Sequence, residues 1–157
     1  MATWSKSIST VSARFEIASC ATVSKGPHMA DVSGAPLQIY IVDDDPDAVD
    51  IIALILEQAG HTVQKQLVGL HAISEVVRGK PDCVLVDLMM GGIDGLELCR
   101  ELRARPELKE TKIAVVTAKD GEIWRERALN AGANGFFQKP VDPAFFARNL
   151  EMLVQES

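Results

Sequence analysis

The sequence has no apolar run close to the ~20 residues that a membrane-spanning helix requires, so we expect no association with a membrane. Basic residues are also few. The 16 Lys and Arg against 22 Asp and Glu give a net charge of −6. This balance argues against direct binding of nucleic acid, because contacts with phosphates need a basic surface. No G-x-G-x-x-G motif follows the first apolar segment, which argues against dinucleotide binding.

Cysteine is scarce, and its three positions, Cys20, Cys83 and Cys99, have neither an even count nor the spacing of a metal site. A disulfide framework is therefore not expected. Cys83 and Cys99 lie in apolar segments, where a thiol usually acts as a small buried hydrophobic group. This usage fits a reducing compartment, and we expect a cytoplasmic protein.

Residues 1–36 differ in composition from the rest of the chain. They are rich in Ser and Thr, and Glu16 is the only acid within residues 1–26. The tetrapeptide "GPHM" at 26–29 resembles the remnant of a cleaved expression tag. We expect residues 1–36 to be a disordered extension, partly derived from a tag or vector, and residues 37–157 to form the single folded domain.

From residue 37 onward, short apolar segments alternate with segments of helical periodicity. Asp45 and Asp142 are candidate N-caps, each followed by a proline, and Gly60 is a candidate helix stop. Five strands alternating with five helices predict an α/β fold with a doubly wound, five-stranded parallel sheet in the order 2-1-3-4-5. The expected strands are 37–42, 61–68, 83–89, 112–118 and 135–139. The expected helices are 46–60, 70–79, 95–105, 121–132 and 142–155.

Polar residues stand at the ends of four of these strands. Asp43 and Asp44 follow the first strand and Asp87 ends the third, while Thr117 and Lys139 end the fourth and fifth. Open parallel sheets bind ligands at the carboxyl ends of their strands, where the strand order reverses. We therefore expect these five side chains to meet at one edge, although they are distant in the sequence.

Three carboxylates in one place require a compensating cation, and carboxylate oxygens at an exposed loop edge suit Mg²⁺. Lys139 offers a point charge for a phosphoryl oxygen, and Thr117 offers a hydroxyl group. Carboxylates can also form aspartyl phosphates, so Asp87 is a candidate nucleophile. The set predicts a phosphoryl-transfer site.

Four motifs resemble those of response-regulator receiver domains of two-component signalling. They cover residues 37 to about 155 in the order and spacing of that family. They are "IVDDDP" at 41–46, "PDCVLVDLMMGGIDGLEL" at 81–98, "VVTAKD" at 115–120 and "GANGFFQKP" at 132–140.

The resemblance implies a flavodoxin-like (βα)5 fold and a magnesium site. Asp87 would accept a phosphoryl group from a phosphohistidine on a histidine kinase or phosphotransfer protein. Asp44 and Asp87 would bind Mg²⁺ directly and Asp43 would bind it through water, with the backbone carbonyl of Met89 as a further ligand.

The resemblance also implies which residues would respond to the phosphoryl group. Thr117 and Lys139 would hold it, and Phe136 occupies the position of a switch aromatic. Lys139–Pro140 resembles a cis peptide of the family. The sequence departs from the family at Gly91, where a proline is usual, and we expect this glycine to loosen the loop after Asp87. A second departure is Phe136 itself, which lacks the hydroxyl of a tyrosine.

These observations predict a stand-alone phosphorylation-controlled switch without an output domain. Catalysis would be limited to Mg²⁺-dependent self-phosphorylation and slow autodephosphorylation, so the chain is not expected to be a conventional enzyme. The segment 121–155 would change its contacts on phosphorylation. Its partner would be a kinase, a phosphotransfer protein or a second copy of the chain, which makes this segment a candidate homodimer surface.

Two alternatives are open. A non-phosphorylated adaptor with the same fold would bind partners constitutively, although the complete set of site residues argues against it. A phosphotransferase of the haloacid dehalogenase type would need a second Asp two residues after the nucleophile, where this chain has Met89.

Four further residues have mostly structural interpretations. His28, His61 and His71 are expected to be exposed to solvent without a role in phosphoryl transfer. Trp124 fits a packing residue and a partner contact equally well, since aromatic residues are enriched at interfaces.

Overall fold

The structure of the protein, a computed structural model, describes residues 34–66 and 71–156. Most of the expected extension, including His28 and Cys20, lies outside the described residues. Among the described residues, no helix has the length and apolar character needed to cross a bilayer.

Five parallel strands form one sheet in the predicted arrangement. They are β1 (Gln38–Val42), β2 (Thr62–Gln66), β3 (Cys83–Val86), β6 (Lys112–Thr117) and β7 (Gly135–Gln138), and the short strands β4 (Met89–Met90) and β5 (Ile93–Asp94) pair separately. The order in the sheet is β2-β1-β3-β6-β7, which is 2-1-3-4-5 when only these five strands are counted. The predicted fold class is therefore confirmed.

The described residues form the helices α1 (Pro46–Gln58), α2 (Ala72–Gly79), α3 (Gly95–Arg103), α4 (Glu122–Asn130) and α5 (Phe146–Gln155), with a short 3₁₀ turn at Pro106–Leu108. These helices cover both faces of the sheet because successive residues of each central strand point to opposite sides. On one face, Val84 and Val86 of β3 pack with residues of α2, α3 and α4. On the other face, Cys83 and Leu85 pack with residues of α1 and α5.

The first helix begins and ends where its sequence signals indicate. The side chain of Asp45 accepts hydrogen bonds from the backbone N–H groups of Asp47 and Ala48, and Pro46 is the first helical residue. Gly60 follows the helix with φ +95°, a conformation that favours glycine. These local signals were sufficient because they depend only on neighbouring residues.

The last helix begins later than expected. Its first residue is Phe146 rather than Asp142, and the segment before it forms turns. The Asp142 side chain accepts from the N–H of Ala144, and its carbonyl accepts from the N–H groups of Phe145 and Phe146. Asp142 therefore stabilises a turn that leads into the helix. Phe146 is buried, whereas Phe145 is 58% exposed.

The structure contradicts the expectation that His61 is exposed. Its ring is buried beneath α5, where Nε2 donates to Oε1 of Glu151 at 2.8 Å. Nδ1 accepts a 3.3 Å hydrogen bond from the N–H of Leu37. The prediction failed because His61 precedes a strand in a polar stretch, and nothing local shows that a helix 90 residues later covers it. His71 is exposed as expected.

Both described cysteines are buried, as predicted. Burial raises the pKa of the Cys83 thiol to about 12. It also raises the pKa of the Cys99 thiol to about 12. High pKa values disfavour the reactive thiolate, so both residues act as packing groups.

Candidate functional site

The site forms where β1 and β3 leave the sheet side by side. Val42 of β1 pairs with Val86 of β3, so the next residues, Asp43 and Asp87, emerge together. The N–H of Asp87 donates to the carbonyl of Val42 at 3.1 Å. The two strands are neighbours because the chain reverses its direction of winding at this point.

Asp43, Asp44 and Asp87 meet in one cluster, as the strand order predicts. One oxygen of each carboxylate lies within 4.8 Å of one oxygen of each of the other two. Asp43 and Asp87 are buried, at 1% and 7% exposure, whereas Asp44 is exposed. The cluster therefore has two buried acids and one acid that is exposed to solvent.

Backbone donors hold all three carboxylates. Each acid accepts one hydrogen bond from an N–H group of a loop at this edge, and these donors were not identified from the sequence. The bonds are Asp45 N–H to Asp43 Oδ1 at 3.0 Å, Gly91 N–H to Asp44 Oδ2 at 2.7 Å, and Met89 N–H to Asp87 Oδ1 at 3.2 Å.

Lys139 supplies a positive charge to the cluster. Its Nζ lies 2.6 Å from Oδ2 of Asp43 and 3.4 Å from Oδ2 of Asp87. Burial opposes the charged form, but the hydrogen bond that the Lys139 ammonium donates to Asp43 and the negative charges of Asp87 and Asp43 outweigh it, so the pKa of Lys139 lies above its ordinary value.

Backbone contacts fix the position of Lys139. Its N–H donates to the carbonyl of Thr117 at 2.8 Å. The Lys139–Pro140 bond is cis, as the resemblance implied.

The donor chemistry of the cluster fits a magnesium ion. Three carboxylates and one ammonium leave an excess of negative charge, and hard oxygen ligands are the ones that Mg²⁺ prefers. The exposed position of Asp44 also suits an ion that keeps several of its waters. Met89 follows Asp87 closely, in β4 (Met89–Met90), so its carbonyl belongs to the same loop edge.

Thr117 is the fully buried last residue of β6. It pairs with Gln138 across the sheet, so it stands next to the strand that ends before Lys139. Its Oγ1 accepts a 3.3 Å hydrogen bond from the N–H of Lys119. Thr117 is therefore at the predicted edge, with its hydroxyl engaged by the loop that follows β6.

Two aromatic residues pack against the apolar cluster that lies between the sheet and α2, α3 and α4. Phe136 is half-buried and packs against the apolar cluster on the α3 face. Trp124 packs against the same cluster, and the cationic groups of Lys119 and Arg127 each lie 4.9 Å from its ring centroid. Trp124 thus has the packing role that the sequence allowed, and its ring also contacts two cations.

The loop after Asp87 contains a hairpin that the sequence did not reveal. The two-residue strand β4 pairs antiparallel with β5 (Ile93–Asp94), and Gly91 and Gly92 connect them. Strands of this length have no detectable period. The N–H of Gly91 is bonded to Asp44, so this glycine also gives the loop a contact that a proline would not provide.

The family model for the response regulator receiver domain matches residues 39–151. The chain belongs to this family. Receiver domains are signalling switches controlled by phosphorylation rather than conventional enzymes, and the strand order and the position of the acidic edge described above agree with that assignment.

The receiver domain is similar to response regulators from several organisms. It is 35% identical to the response regulator MprA of Mycobacterium sp. (strain KMS) over 105 residues, which cover 67% of this chain and 45% of that protein. The chain therefore matches less than half the length of this curated relative.

Solved structures show the same fold. A putative response regulator from Chloroflexus aurantiacus J-10-fl has a TM-score of 0.71 and 29% identity, over 76% of this chain and 98% of that one. The BeF3-activated N-terminal receiver domain of RstA from Klebsiella pneumoniae has a TM-score of 0.69 and 31% identity, over 76% of this chain and 99% of that one.

A third similar structure contains a metal ion. The receiver domain of the sensor histidine kinase PA1611 from Pseudomonas aeruginosa PAO1 has a TM-score of 0.69 and 29% identity, over 76% of this chain and 98% of that one. Its structure has a magnesium ion coordinated in the active-site cleft.

Proposed function

We propose that the protein is a phosphorylation-activated switch that accepts a phosphoryl group on Asp87 from a phosphohistidine of a histidine kinase or phosphotransfer protein. One observation carries the proposal. Asp87, Asp43 and Asp44 offer oxygens within 4.8 Å of one another, and the ammonium of Lys139 lies 3.4 Å from Asp87. Acids and a cation in this arrangement suit phosphoryl transfer.

The transfer exchanges one bond to phosphorus for another. A carboxylate oxygen of Asp87 forms the new P–O bond while the P–N bond to the donor imidazole breaks. The electron pair of the broken bond stays on the imidazole nitrogen of the donor. The donor ring then exchanges protons with water and becomes a neutral imidazole. Asp44, Asp87 and the carbonyl of Met89 would hold Mg²⁺ directly and Asp43 would hold it through water, and the ion would supply positive charge at the transferred oxygens.

The protein's own residues orient the phosphoryl group and respond to it. Lys139 already lies within reach of Asp87, so its ammonium can donate to a phosphoryl oxygen there. The hydroxyl of Thr117 would exchange its contact with the Lys119 N–H for a phosphoryl oxygen. Phe136 would then change its packing, and this rearrangement would alter the surface formed by residues 121–155.

The signal would leave through residues 121–155. This segment exposes apolar side chains at Ile123, Leu129 and Met152, by 57%, 44% and 53%. A second copy of the chain is a candidate partner for it. Sedimentation velocity with and without a phosphodonor tests this assembly, and a monomer under both conditions would contradict it.

The domain that carries this function would comprise residues 37–157, with residues 1–36 as an extension. A cytoplasmic location fits the partners named above.

A constitutive adaptor with an unused site is the alternative function, and labelling of Asp87 distinguishes the adaptor from the switch.

The test is to incubate the protein with Mg²⁺ and acetyl phosphate and to measure its intact mass. We expect the mass of one added phosphoryl group. Asp87→Asn should abolish the addition, whereas Asp47→Asn, which changes an exposed acid outside the cluster, should keep it. An unlabelled wild-type protein would favour the adaptor, and a labelled Asp87→Asn variant would refute Asp87 as the acceptor.

A phosphohistidine donor is tested separately. A histidine phosphotransfer protein labelled on its histidine should lose the label to the wild-type chain and retain it with Asp87→Asn. Retention with both proteins, although acetyl phosphate labels the wild type, would contradict the choice of donor alone.

A further inference from the structure

Asp44 is tied to a loop that is distant in sequence. Its Oδ2 accepts a 2.7 Å hydrogen bond from the N–H of Gly91, 47 residues further along the chain. The bond joins the segment after β1 to the hairpin of β4 and β5. Asp44 is also the exposed acid of the cluster, so its side chain has more freedom to turn away than the buried Asp43 and Asp87 have.

The turn that contains Gly91 does not itself require glycine at this position. Gly91 and Gly92 connect the paired residues Met90 and Ile93. Gly92 has φ +89°, whereas Gly91 is not among the residues with positive φ. A type II turn has this pattern, with a positive φ only at its second central residue. Glycine is favoured at that second position, whereas the first position accepts most residues, proline included.

The space around Gly91 also admits a side chain. A Cβ atom there would meet Oδ2 of Asp44 at 3.5 Å, an ordinary contact, with no closer neighbour. By contrast, a Cβ at Gly95 would lie 2.2 Å from the carbonyl oxygen of Asp87. Neither conformation nor space requires a glycine at position 91. What separates Gly91 from a proline at the same position is its N–H, which donates to Asp44.

We propose that the N–H of Gly91 is a positioning group that holds Asp44 towards Asp43 and Asp87, so that the three acids are arranged before a cation binds. The inference rests on the proposed function, because it concerns the same magnesium site. Groups that hydrogen-bond to a metal ligand without contacting the metal commonly change the metal affinity by an order of magnitude or more. Asp44 can be held through Oδ2 and still use its other oxygen as a ligand.

Two substitutions separate the N–H from the side chain. Gly91→Pro removes the donor and suits the first position of a type II turn. Gly91→Ala adds a Cβ atom but keeps the N–H, so it is the matched control. Both variants retain every acid of the cluster and Lys139.

The experiment measures the Mg²⁺ dissociation constant of each protein by titration calorimetry, without a phosphodonor. We expect Gly91→Pro to bind roughly tenfold more weakly than the wild type and Gly91→Ala to bind within about twofold of it. Equal affinities of the two variants would overturn this inference alone. Absence of Mg²⁺ binding by the wild type would overturn the proposed function, and the inference with it.

A second measurement does not depend on the folding of the proline variant. Amide hydrogen exchange of Gly91 is followed in the metal-free wild type and in Asp44→Ala. A hydrogen-bonded amide is protected from exchange, so the Gly91 amide should exchange at least about tenfold faster in Asp44→Ala. Equal rates would show that Asp44 is not the acceptor that holds this N–H in solution.

Discussion

The Nζ atom of Lys139 lies 2.6 Å from Oδ2 of Asp43, although 96 residues separate them in the chain. The sheet order brings them together, since β1 and β7 both end at this edge. Asp43 is almost fully buried and Lys139 has only 18% of its side chain exposed. The ion pair is therefore partly shielded from water, and its removal should be measurable.

Lys139→Met should destabilise the metal-free protein by about 1–3 kcal/mol, because buried Asp43 loses a charged hydrogen-bond donor. Mg²⁺ should raise the melting temperature of the wild type, since it binds only the folded cluster. Mg²⁺ should raise the melting temperature of Lys139→Met by more than that of the wild type, because the three acids of the variant lack the ammonium group that partly neutralises them. Urea unfolding and thermal melts with and without Mg²⁺ measure both effects.

The control for this variant is Lys65→Met, which removes a lysine paired with exposed Asp50 at the surface. Exposed pairs contribute little, so its stability and its response to Mg²⁺ should match those of the wild type. If Lys139→Met and Lys65→Met behaved alike, the contact between Lys139 and Asp43 would have no energetic role.

The same ion pair predicts a dependence on alkaline pH. Burial opposes the ammonium form, but the contacts with Asp43 and Asp87 raise the pKa of Lys139 above its ordinary value. A raised folded-state pKa means that the stabilisation is fully present below the unfolded value of about 10.4 and is lost as pH rises through the folded value.

The measurement is the difference in unfolding free energy between wild type and Lys139→Met, from about pH 8 to pH 11. Taking the difference removes the titration of the other groups. It should stay constant up to about pH 10 and then decrease. A difference that falls already near neutral pH would contradict a raised pKa at Lys139.

Gly95 lies against the backbone of the proposed phosphoacceptor. A Cβ at this first residue of α3 would lie 2.2 Å from the carbonyl oxygen of Asp87 and 2.6 Å from Cα of Leu88. Backbone atoms cannot yield as a flexible side chain can. Gly95→Ala should therefore cost about 1–3 kcal/mol of stability and slow labelling of Asp87 by acetyl phosphate, as followed by urea unfolding and intact mass.

Gly34→Ala is the matched substitution for Gly95→Ala, because its Cβ would come no closer than 3.5 Å to Nε2 of Gln155. Both stability and labelling should stay close to wild type in this variant. A fully stable Gly95→Ala protein that is labelled at the normal rate would show that the approach of α3 to Asp87 is not tight in solution.

The sequence was sufficient for the parts of the site that follow from strand order. Asp43, Asp87 and Lys139 each stand directly after a strand, so the order 2-1-3-4-5 is enough to bring them to one edge. The motifs that resemble the receiver family further identified Met89 and Phe136. For these five residues the roles stay predictions, although their positions are now known.

Contacts made by backbone atoms and by distant helices could not be predicted. The N–H of Gly91 carries no side-chain signal, and its bond to Asp44 depends on a hairpin with two residues in each strand. His61 was expected at the surface, because its polar neighbourhood gives no sign of α5. Both cases depend on tertiary geometry rather than on periodicity or capping.

The buried pair of His61 and Glu151 provides the last prediction. Nε2 of His61 donates to Oε1 of Glu151, and both side chains are nearly inaccessible. Oε2 of Glu151 is buried without a hydrogen-bond partner among the described residues. Removing only one member leaves the other polar group buried and unpaired, which costs about 1–3 kcal/mol, whereas replacing both with apolar groups costs less than the sum.

The pair therefore calls for a double-mutant cycle. His61→Leu and Glu151→Leu should each be destabilising by about 1–3 kcal/mol, and the double variant should be more stable than the sum of the two losses predicts. Urea unfolding measures the three differences. Labelling of Asp87 should be unchanged, because His61 precedes β2 and so lies at the opposite edge of the sheet from the acids. Strictly additive losses would mean that the two side chains do not interact, and α5 would then be held against the sheet by its apolar contacts alone.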